Sequence, residues 1–185
     1  MARQLKMKFR TWGGARKGAG RKPKGAKAGV PHLVRPVLKR RFPVHVTWKM
    51  GPEVFGLRSQ RCFSVLKRAM WAGADQFGFR LVHYSVMGDH MHLLVEAADR
   101  RALGRGMKGL GVRIARALNR LMQRRGNVLG DRYHAHILLT PTEVKNARHY
   151  LLTNAKKHYG WVGPDPFASH SPLALPRTWP LSRLE

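Results

Sequence analysis

Hydrophobic and polar residues alternate in several short stretches of the chain, and a period of two is typical of β-strands with one buried face. The first such stretch is 42–50, in which Val44, Val46, Trp48 and Met50 alternate with polar residues. We expect a strand there. Its hydrophobic side chains should face the core of the protein.

Two longer strand-forming stretches follow in the middle of the chain. They are Phe79–Met87 and His90–Glu96, and only Gly88 and Asp89 separate them. Glycine and aspartate are common in tight turns, so the pair predicts a β-hairpin. A further short strand is predicted at Tyr133–Leu139.

Between and after these strands, hydrophobic residues recur every three or four positions, which is the period of an amphipathic helix. This pattern predicts helices at 59–76 and 101–125. A third helix should begin at Thr140–Glu143, because this segment has a threonine at the N-cap, a proline at the first helical position and a glutamate at N3. It should continue to about residue 158 and end at Gly160.

The ends of the chain differ in composition from its middle. Residues 1–41 contain many arginines and lysines and no acidic residue, and such a segment repels itself and cannot bury enough hydrophobic surface to fold alone. We therefore predict a basic, disordered arm at 1–41 and a folded domain at 42–160. Residues 161–185 are rich in proline and predict an irregular tail, packed in part by Trp161, Phe167 and Trp179.

The net charge points to a polyanionic partner. The 185 residues include 36 Lys+Arg against 9 Asp+Glu, which gives a net charge of +27. Nucleic acid and an anionic membrane surface both fit this charge, but no hydrophobic stretch is long enough to span a bilayer and the basic start does not resemble a signal peptide. We expect an intracellular protein that binds nucleic acid. The lone Cys62 excludes an internal disulfide and a cysteine-based zinc site.

Basic residues in the arm and on two of the predicted helices are candidates for contact with DNA phosphates. In the arm, the segment 18–25 loosely resembles the Arg-Pro core of minor-groove-binding AT-hook peptides, although a basic tail without sequence preference explains the same residues. The candidates are Arg16, Lys17, Arg21, Lys22, Lys24, Arg113, Arg116, Arg120, Arg132, Lys156 and Lys157.

Two His-x-His motifs are candidate metal ligands. Side chains alternate along a strand, so His90 and His92 project from the same face, as two ligands of one ion must. His134 and His136 have the same spacing on another predicted strand. The spacing alone does not choose between the two pairs, and hydrogen-bonded surface histidines would account for either.

The third predicted helix carries a tyrosine and an amide on one face. Tyr150 and Asn154 are four residues apart and therefore neighbours on the helix surface. They lie beside the hydrophobic stripe of the helix, which includes Ala147, Leu151 and Ala155. A partly buried structural tyrosine is the alternative interpretation of Tyr150.

Taken together, three segments resemble the core of the single-tyrosine IS200-like transposases. They are Val44–Met50, Gly78–Ala97 with the motif His90-Met91-His92, and Tyr150–His158. Within this family the chain is most similar to the REP-associated tyrosine transposases. The resemblance covers roughly residues 41–160 and implies an α+β fold with a ferredoxin-like core, in which an antiparallel sheet has its helices mainly on one face.

The resemblance also implies a chemistry and a partner. His90 and His92 match the family's HUH motif, and Tyr150 matches its nucleophile. Asn154 would be the third ligand of a Mg²⁺ or Mn²⁺ ion. The implied reaction is metal-dependent cleavage and rejoining of single-stranded DNA with a hairpin, through a 5′-phosphotyrosine, by a homodimer associated with the nucleoid in the bacterial cytoplasm.

The chain departs from its relatives in two respects, which leave its DNA specificity open. Asp89 stands where relatives often have asparagine, and the basic arm is long. A second hypothesis is a domesticated, non-catalytic DNA-binding protein with the same fold, because the net charge and the arginine-rich helix suit binding as well as catalysis. On that hypothesis His90, His92, Tyr150 and Asn154 would not be needed together.

Overall fold

The computed structural model describes residues 36–160 and 162–169, which all belong to the unit His32–Glu185. These residues form an antiparallel five-stranded sheet with strand order β2-β3-β4-β1-β5, and three helices. The predicted α+β fold is confirmed. The elements are β1 (Val44–Lys49), α1 (Gln60–Ala72), β2 (Asp75–Gln76), β3 (Phe79–Val86), β4 (His90–Ala97), α2 (Arg100–Leu121), β5 (His134–Ile137) and α3 (Pro141–Tyr159).

The two faces of the sheet are covered by different helices. Val46 of β1 and Leu93 of β4 belong to the main hydrophobic core, which also contains buried residues of α1 and α2. Leu94 points to the opposite face and joins a smaller cluster with Val144 and Leu151 of α3. In the described residues, two helices therefore cover one face and α3 alone packs on the other.

The third helix begins and ends as its sequence predicts. The Thr140 hydroxyl accepts a hydrogen bond from the Glu143 backbone N–H, and the Glu143 carboxylate accepts one from the Thr140 backbone, so the capping box is complete. Gly160 terminates the helix in the left-handed conformation, with φ 63°. These caps fix which residues of α3 face the sheet.

The first helix is shorter than its sequence predicts. It ends at Ala72, and Asp75–Gln76 pairs instead with the start of β3, opposite Arg80 and Phe79. Pairing with the edge of a sheet supplies backbone hydrogen bonds that compete with continuation of the helix. Only Phe77 and Gly78, both with positive φ, separate the two paired segments, and the helical periodicity of 59–76 did not indicate this turn.

The core draws on residues outside the predicted 42–160 domain. Leu38 and Phe167 are both buried, at 5% and 9% exposure. The predicted arm up to residue 35, Trp161 and residues 170–185 lie outside the described residues. No helix in the described part of the chain is long and hydrophobic enough to cross a membrane.

Glycine allows α2 to approach the sheet closely. A Cβ atom at Gly106 would collide with the ring of Phe79, and one at Gly111 would crowd the ring of Trp48. Glycine costs a helix interior roughly 1 kcal/mol relative to alanine. Close packing of α2 on the sheet offsets that cost.

Replacing Gly106 by alanine should therefore destabilise the protein. Overpacking costs about 1–3 kcal/mol, which exceeds the gain of roughly 1 kcal/mol in helix propensity. Gly104 is the matched control, because a Cβ atom there meets nothing within 4 Å. Chemical denaturation should show Gly104→Ala at or above wild-type stability, and a Gly106→Ala variant of equal stability would contradict this account.

A buried histidine lies at the interface of β3 with the C-terminal segment. His83 is 1% exposed, and its Nδ1 lies 3.1 Å from the Ser169 hydroxyl. Burial, with a further contribution from the positive charge of Arg148, lowers the pKa of His83 from 6.5 to about 4. The folded state therefore holds this imidazole neutral in a pH range in which the unfolded chain takes up a proton.

This difference predicts a loss of stability in acid. A histidine whose pKa is lower in the folded state stabilises the protein fully above its unfolded pKa, and the contribution is lost as pH falls from about 6.5 towards 4. His83→Gln should reduce the slope of the unfolding free energy against pH in this range by up to ~1.4 kcal/mol per pH unit. The control is His149→Gln at an exposed position of α3. Equal slopes for wild type and His83→Gln would refute the prediction.

Candidate functional site

The sheet face beneath α3 is rich in histidine. Thr47 of β1 is paired with His92 on one side and with His134 on the other, and His45 is paired with His136. Directly paired residues of antiparallel strands project from the same face. Both His-x-His motifs therefore lie on this face, and β1 separates them.

The first motif has the spacing of two ligands of one metal ion. The Nε2 atoms of His90 and His92 lie 3.1 Å apart. Two nitrogens at this separation, each at ~2.1 Å from an ion, would subtend roughly 95° at it, close to the angle between adjacent ligands of an octahedral ion. His92 is 5% exposed, whereas His90 is only partly buried.

Neighbouring residues orient both imidazoles. Nδ1 of His90 lies 2.7 Å from Oδ1 of Asp89, and Nδ1 of His92 lies 3.2 Å from the Thr47 hydroxyl and 3.3 Å from Nε2 of His45. A proton on either Nδ1 has an acceptor, which leaves the Nε2 lone pairs available to a cation. Asp89 suits this arrangement, because a carboxylate accepts the Nδ1 proton of His90 with a full negative charge.

Burial keeps two of these histidines neutral. The pKa of His92 is lowered from 6.5 to about 3, chiefly by burial and then by His90, His45 and His158. The pKa of His45 is lowered to about 4 by burial and then by His136 and His134. A metal ligand must be the neutral imidazole. At neutral pH these side chains need no deprotonation to bind a cation.

Helix α3 places Tyr150 over these histidines. Its ring centroid lies 5.1 Å from that of His92 and 6.0 Å from that of His45, with the rings edge to face in both pairs. The Tyr150 side chain is 36% exposed. The phenol is therefore held by the histidine face and remains accessible from outside.

Asn154 lies between Tyr150 and His158 on the same side of the helix, because the three residues follow one another at intervals of four. It is 1% exposed, and neither its amide oxygen nor its amide nitrogen has a hydrogen-bond partner in the described part of the chain. Both flanking residues act on His92, Tyr150 by ring contact and His158 by charge. A buried amide without partners is costly unless something binds it, and an amide oxygen suits Mg²⁺ or Mn²⁺.

The second His-x-His motif has a different environment. His134 and His136 are exposed on the edge strand β5, and both act on His45 by charge. Among residues 36–160 and 162–169, no three histidine, cysteine or carboxylate side chains are grouped as ligands of one ion. On this face, the Nε2 atoms of His90 and His92 and the amide of Asn154 are the candidate ligands.

Three further residues of this face, His45, Thr47 and His158, are not among the predicted site residues. The alternation of β1 indicates the first two, since Val44, Val46 and Trp48 face the core. Extending the Tyr150 to Asn154 spacing by one more turn would have identified His158.

The predicted DNA-contacting residues divide between two surfaces. Arg113, Arg116 and Arg120 line a groove of about 650 Å³ between α1 and α2, together with Arg68, on the opposite side of the sheet from Tyr150. Lys156 and Lys157 are exposed in the last turn of α3, just after Asn154, and Arg132 is partly buried before β5. The candidates of the arm, Arg16, Lys17, Arg21, Lys22 and Lys24, lie outside the described residues.

One solved structure supports the fold. A REP-associated tyrosine transposase, solved bound to a REP hairpin, matches with a TM-score of 0.62 and 16% identity, over 76% of this chain and 83% of that chain. A proposed transposase from Deinococcus radiodurans matches with a TM-score of 0.45 and 21% identity, over 66% of this chain and 93% of that chain. No curated protein matches the chain.

The family assignment rests on the sequence itself. Residues 40–154 match the family model described as IS200-like transposase. The matched range includes the histidine pair of β4, Tyr150 and Asn154, and it spans more than half of the 185 residues. The predicted family is confirmed, and the chain belongs to the IS200-like transposases.

Proposed function

We propose that this chain cuts and rejoins single-stranded DNA, with Tyr150 as the nucleophile. Membership of a transposase family supports DNA as the substrate and strand transfer as the reaction class. The observation that carries the finer proposal is the position of the Tyr150 ring, 5.1 Å from the ring of His92, whose Nε2 lies 3.1 Å from that of His90. A nucleophile beside a candidate metal site is the arrangement that attack on a phosphodiester needs.

The proposed reaction conserves the energy of the phosphodiester bond, because a phosphotyrosine bond replaces it. The Tyr150 oxygen forms a bond to the phosphorus as the bond from phosphorus to the 3′ oxygen breaks, and the phenolic proton is lost while the 3′ oxygen gains one. The products are a 5′-phosphotyrosine and a free 3′ hydroxyl. Attack by a 3′ hydroxyl on the phosphotyrosine reverses these changes and rejoins DNA, so the exchange requires no oxidant and no nucleotide.

In this proposal His90, His92 and Asn154 hold the Mg²⁺ or Mn²⁺ ion. The two Nε2 lone pairs and the unpartnered amide of Asn154 support this ligand set. A divalent ion bound there would neutralise charge on the scissile phosphate and favour loss of the phenolic proton during attack. Asp89 and Thr47 orient the two imidazoles from behind.

We further propose that the DNA carries a hairpin, as in the bound REP-associated transposase with which the chain shares its fold. Lys156 and Lys157 are exposed in the last turn of α3, and we expect them to contact phosphates of the bound DNA. The arginine groove between α1 and α2 would hold a more distant part of the DNA backbone. The described site is formed by one chain, so the homodimer stays a prediction.

Tyr150→Phe should abolish covalent attachment to DNA and preserve DNA affinity. The substitution removes the nucleophilic oxygen and keeps the ring that packs on His92. A labelled, hairpin-bearing single strand, incubated with Mn²⁺ and resolved on a denaturing gel, would show the covalent complex with wild type and with the control variant, and not with Tyr150→Phe. The matched control is Tyr133→Phe, at a tyrosine that contacts Trp48 instead of the histidines.

A Tyr150→Phe variant that still forms the adduct would refute the assignment of the nucleophile. If wild type binds the hairpin tightly and forms no adduct under any metal condition, the chain is a non-catalytic DNA-binding protein. The arginine groove between α1 and α2 is the observation that favours that second function.

The two His-x-His motifs should differ in metal affinity. Replacing His90 and His92 by alanine should weaken Mn²⁺ binding at least 10-fold, a loss expected for ligands of one ion. Replacing His134 and His136, which are exposed on the edge strand, should change it less than twofold, that is by less than ~0.4 kcal/mol. Titration of Mn²⁺ followed by electron paramagnetic resonance would measure both. Loss of binding in the His134/His136 variant alone would reverse the assignment.

A further inference from the structure

Residues 162–169 complete an edge of the sheet that β2 leaves uncovered. The short β2 pairs only with the start of β3. Along the second half of β3, the Val86 N–H donates to the Phe167 carbonyl, and the Ser169 N–H donates to the Tyr84 carbonyl, each at 3.0 Å. This segment follows α3 and lies beyond the range 40–154 that matches the family.

Arg58, in the loop before α1, connects this segment to β3. It donates two hydrogen bonds to the Asp165 carboxylate, at 2.9 and 2.8 Å, and one to the Val86 carbonyl of β3 at 2.9 Å. Its guanidinium also lies against two aromatic rings, with the Tyr159 centroid at 4.7 Å and the Phe167 centroid at 4.4 Å. Asp165 is 1% exposed, so this ion pair is largely shielded from water.

Tyr159 links this contact to the candidate active site. It is the last residue of α3, and its hydroxyl accepts a hydrogen bond of 2.9 Å from the Gly88 N–H. Gly88 precedes Asp89, whose carboxylate accepts from His90. The end of the helix that bears Tyr150 is thus tied to the turn that leads into the histidine motif.

Hydrophobic contacts of α3 with the sheet become few towards the C-terminal end of the helix. The cluster that packs α3 on the sheet includes Val144, Ala147 and Leu151, all in the first two-thirds of the helix. Residues 156–159 are exposed, and Tyr159 is 50% exposed. Ala155, at 1% exposure, is the last buried hydrophobic residue of α3, and beyond it the contacts of Tyr159 connect the last turn to the rest of the fold.

We propose that Arg58 is a positioning residue for the reaction. With Tyr159, Asp165 and Phe167 it forms a latch that sets the distance between α3 and the turn at Gly88, and hence between Tyr150 and the histidine pair. The proposal rests on the proposed function, because it assigns the latch to the attack by Tyr150. Displacement of a nucleophile by about 1 Å can slow a reaction roughly 100-fold.

Arg58→Lys tests the latch with little change in charge. Lysine has one compact ammonium group, so it cannot make the paired hydrogen bonds to Asp165 and lie flat against the two aromatic rings at once. The rate constant for adduct formation in a single turnover should fall roughly tenfold or more, while the dissociation constants for DNA and Mn²⁺ stay within about twofold. The matched control is Arg61→Lys at an exposed position of α1.

Amide hydrogen exchange gives a readout that does not depend on the chemistry. In Arg58→Lys, the Gly88 and Val86 amides should exchange roughly tenfold faster or more, because each donates to a residue of the latch. Amides of α2 should keep their wild-type protection. If α2 also loses protection, Tyr159→Phe decides the question, because it removes only the acceptor for Gly88 and should likewise speed exchange there and slow the adduct.

The failure of this proposal is distinguishable from failure of the proposed function. A wild type that forms no adduct overturns both. A wild type that forms the adduct, beside an Arg58→Lys variant with faster exchange and an unchanged rate constant, overturns the latch alone. Unchanged exchange at Gly88 and Val86 in that variant would overturn it as well.

Discussion

The antiparallel register between β1 and β4 is the constraint on which both the core and the candidate site depend. Thr47 is paired with His92 and Val46 with Leu93, so alternate residues of both strands go to opposite faces. Burying one valine or leucine side chain stabilises a protein by roughly 1.5–3 kcal/mol, and each strand contributes several. A slip by one residue would exchange the two faces, exposing the hydrophobic set and burying histidines in its place. The hydrophobic burial that stabilises the sheet therefore also fixes the register that places the imidazoles on one face.

The candidate site lies on the sheet face with the smaller hydrophobic cluster. That cluster, with Leu94, Leu138 and Leu151 among its members, packs α3 on the sheet, whereas α1 and α2 cover the larger core. In the proposed function, a fully packed helix would exclude a DNA strand. The described arrangement leaves Tyr150 partly exposed and buries His92 and Asn154 behind it. Neutral imidazoles can be buried in this way, because burying a neutral ligand costs far less free energy than burying a charged one.

Local patterns sufficed for the parts of the structure that depend on neighbouring residues. The capping box at Thr140 fixes the phase of α3 and hence the side on which Tyr150 and Asn154 lie, and the alternation of β4 puts His90 and His92 on one face. Strand order and long-range ion pairs depend on distant residues. The sequence around Arg58 gives no sign that its partner is Asp165, a carboxylate 107 positions away. The two His-x-His motifs have the same spacing and differ only in their surroundings, since β4 is central in the sheet and β5 is an edge.

Acidic residues are scarce in this chain, and each one in the described residues takes part in an ion pair or a hydrogen bond. The net charge of +27 leaves 9 acids among 36 bases. If these carboxylates faced outward without partners, they would repel DNA phosphates and weaken the attraction of the arginines beside them. Instead they cap helices, pair with arginines or orient a histidine, so they stabilise the fold without interrupting the basic surfaces. The pairs are Glu53 with Arg124, Asp75 and Glu96 with Arg80, Asp89 with His90, Asp99 with the Ala102 N–H, Asp131 with the Arg132 N–H, Glu143 with the N-cap of α3, and Asp165 with Arg58. The placement of the acids, as much as the number of bases, is what makes the surface suitable for a polyanion.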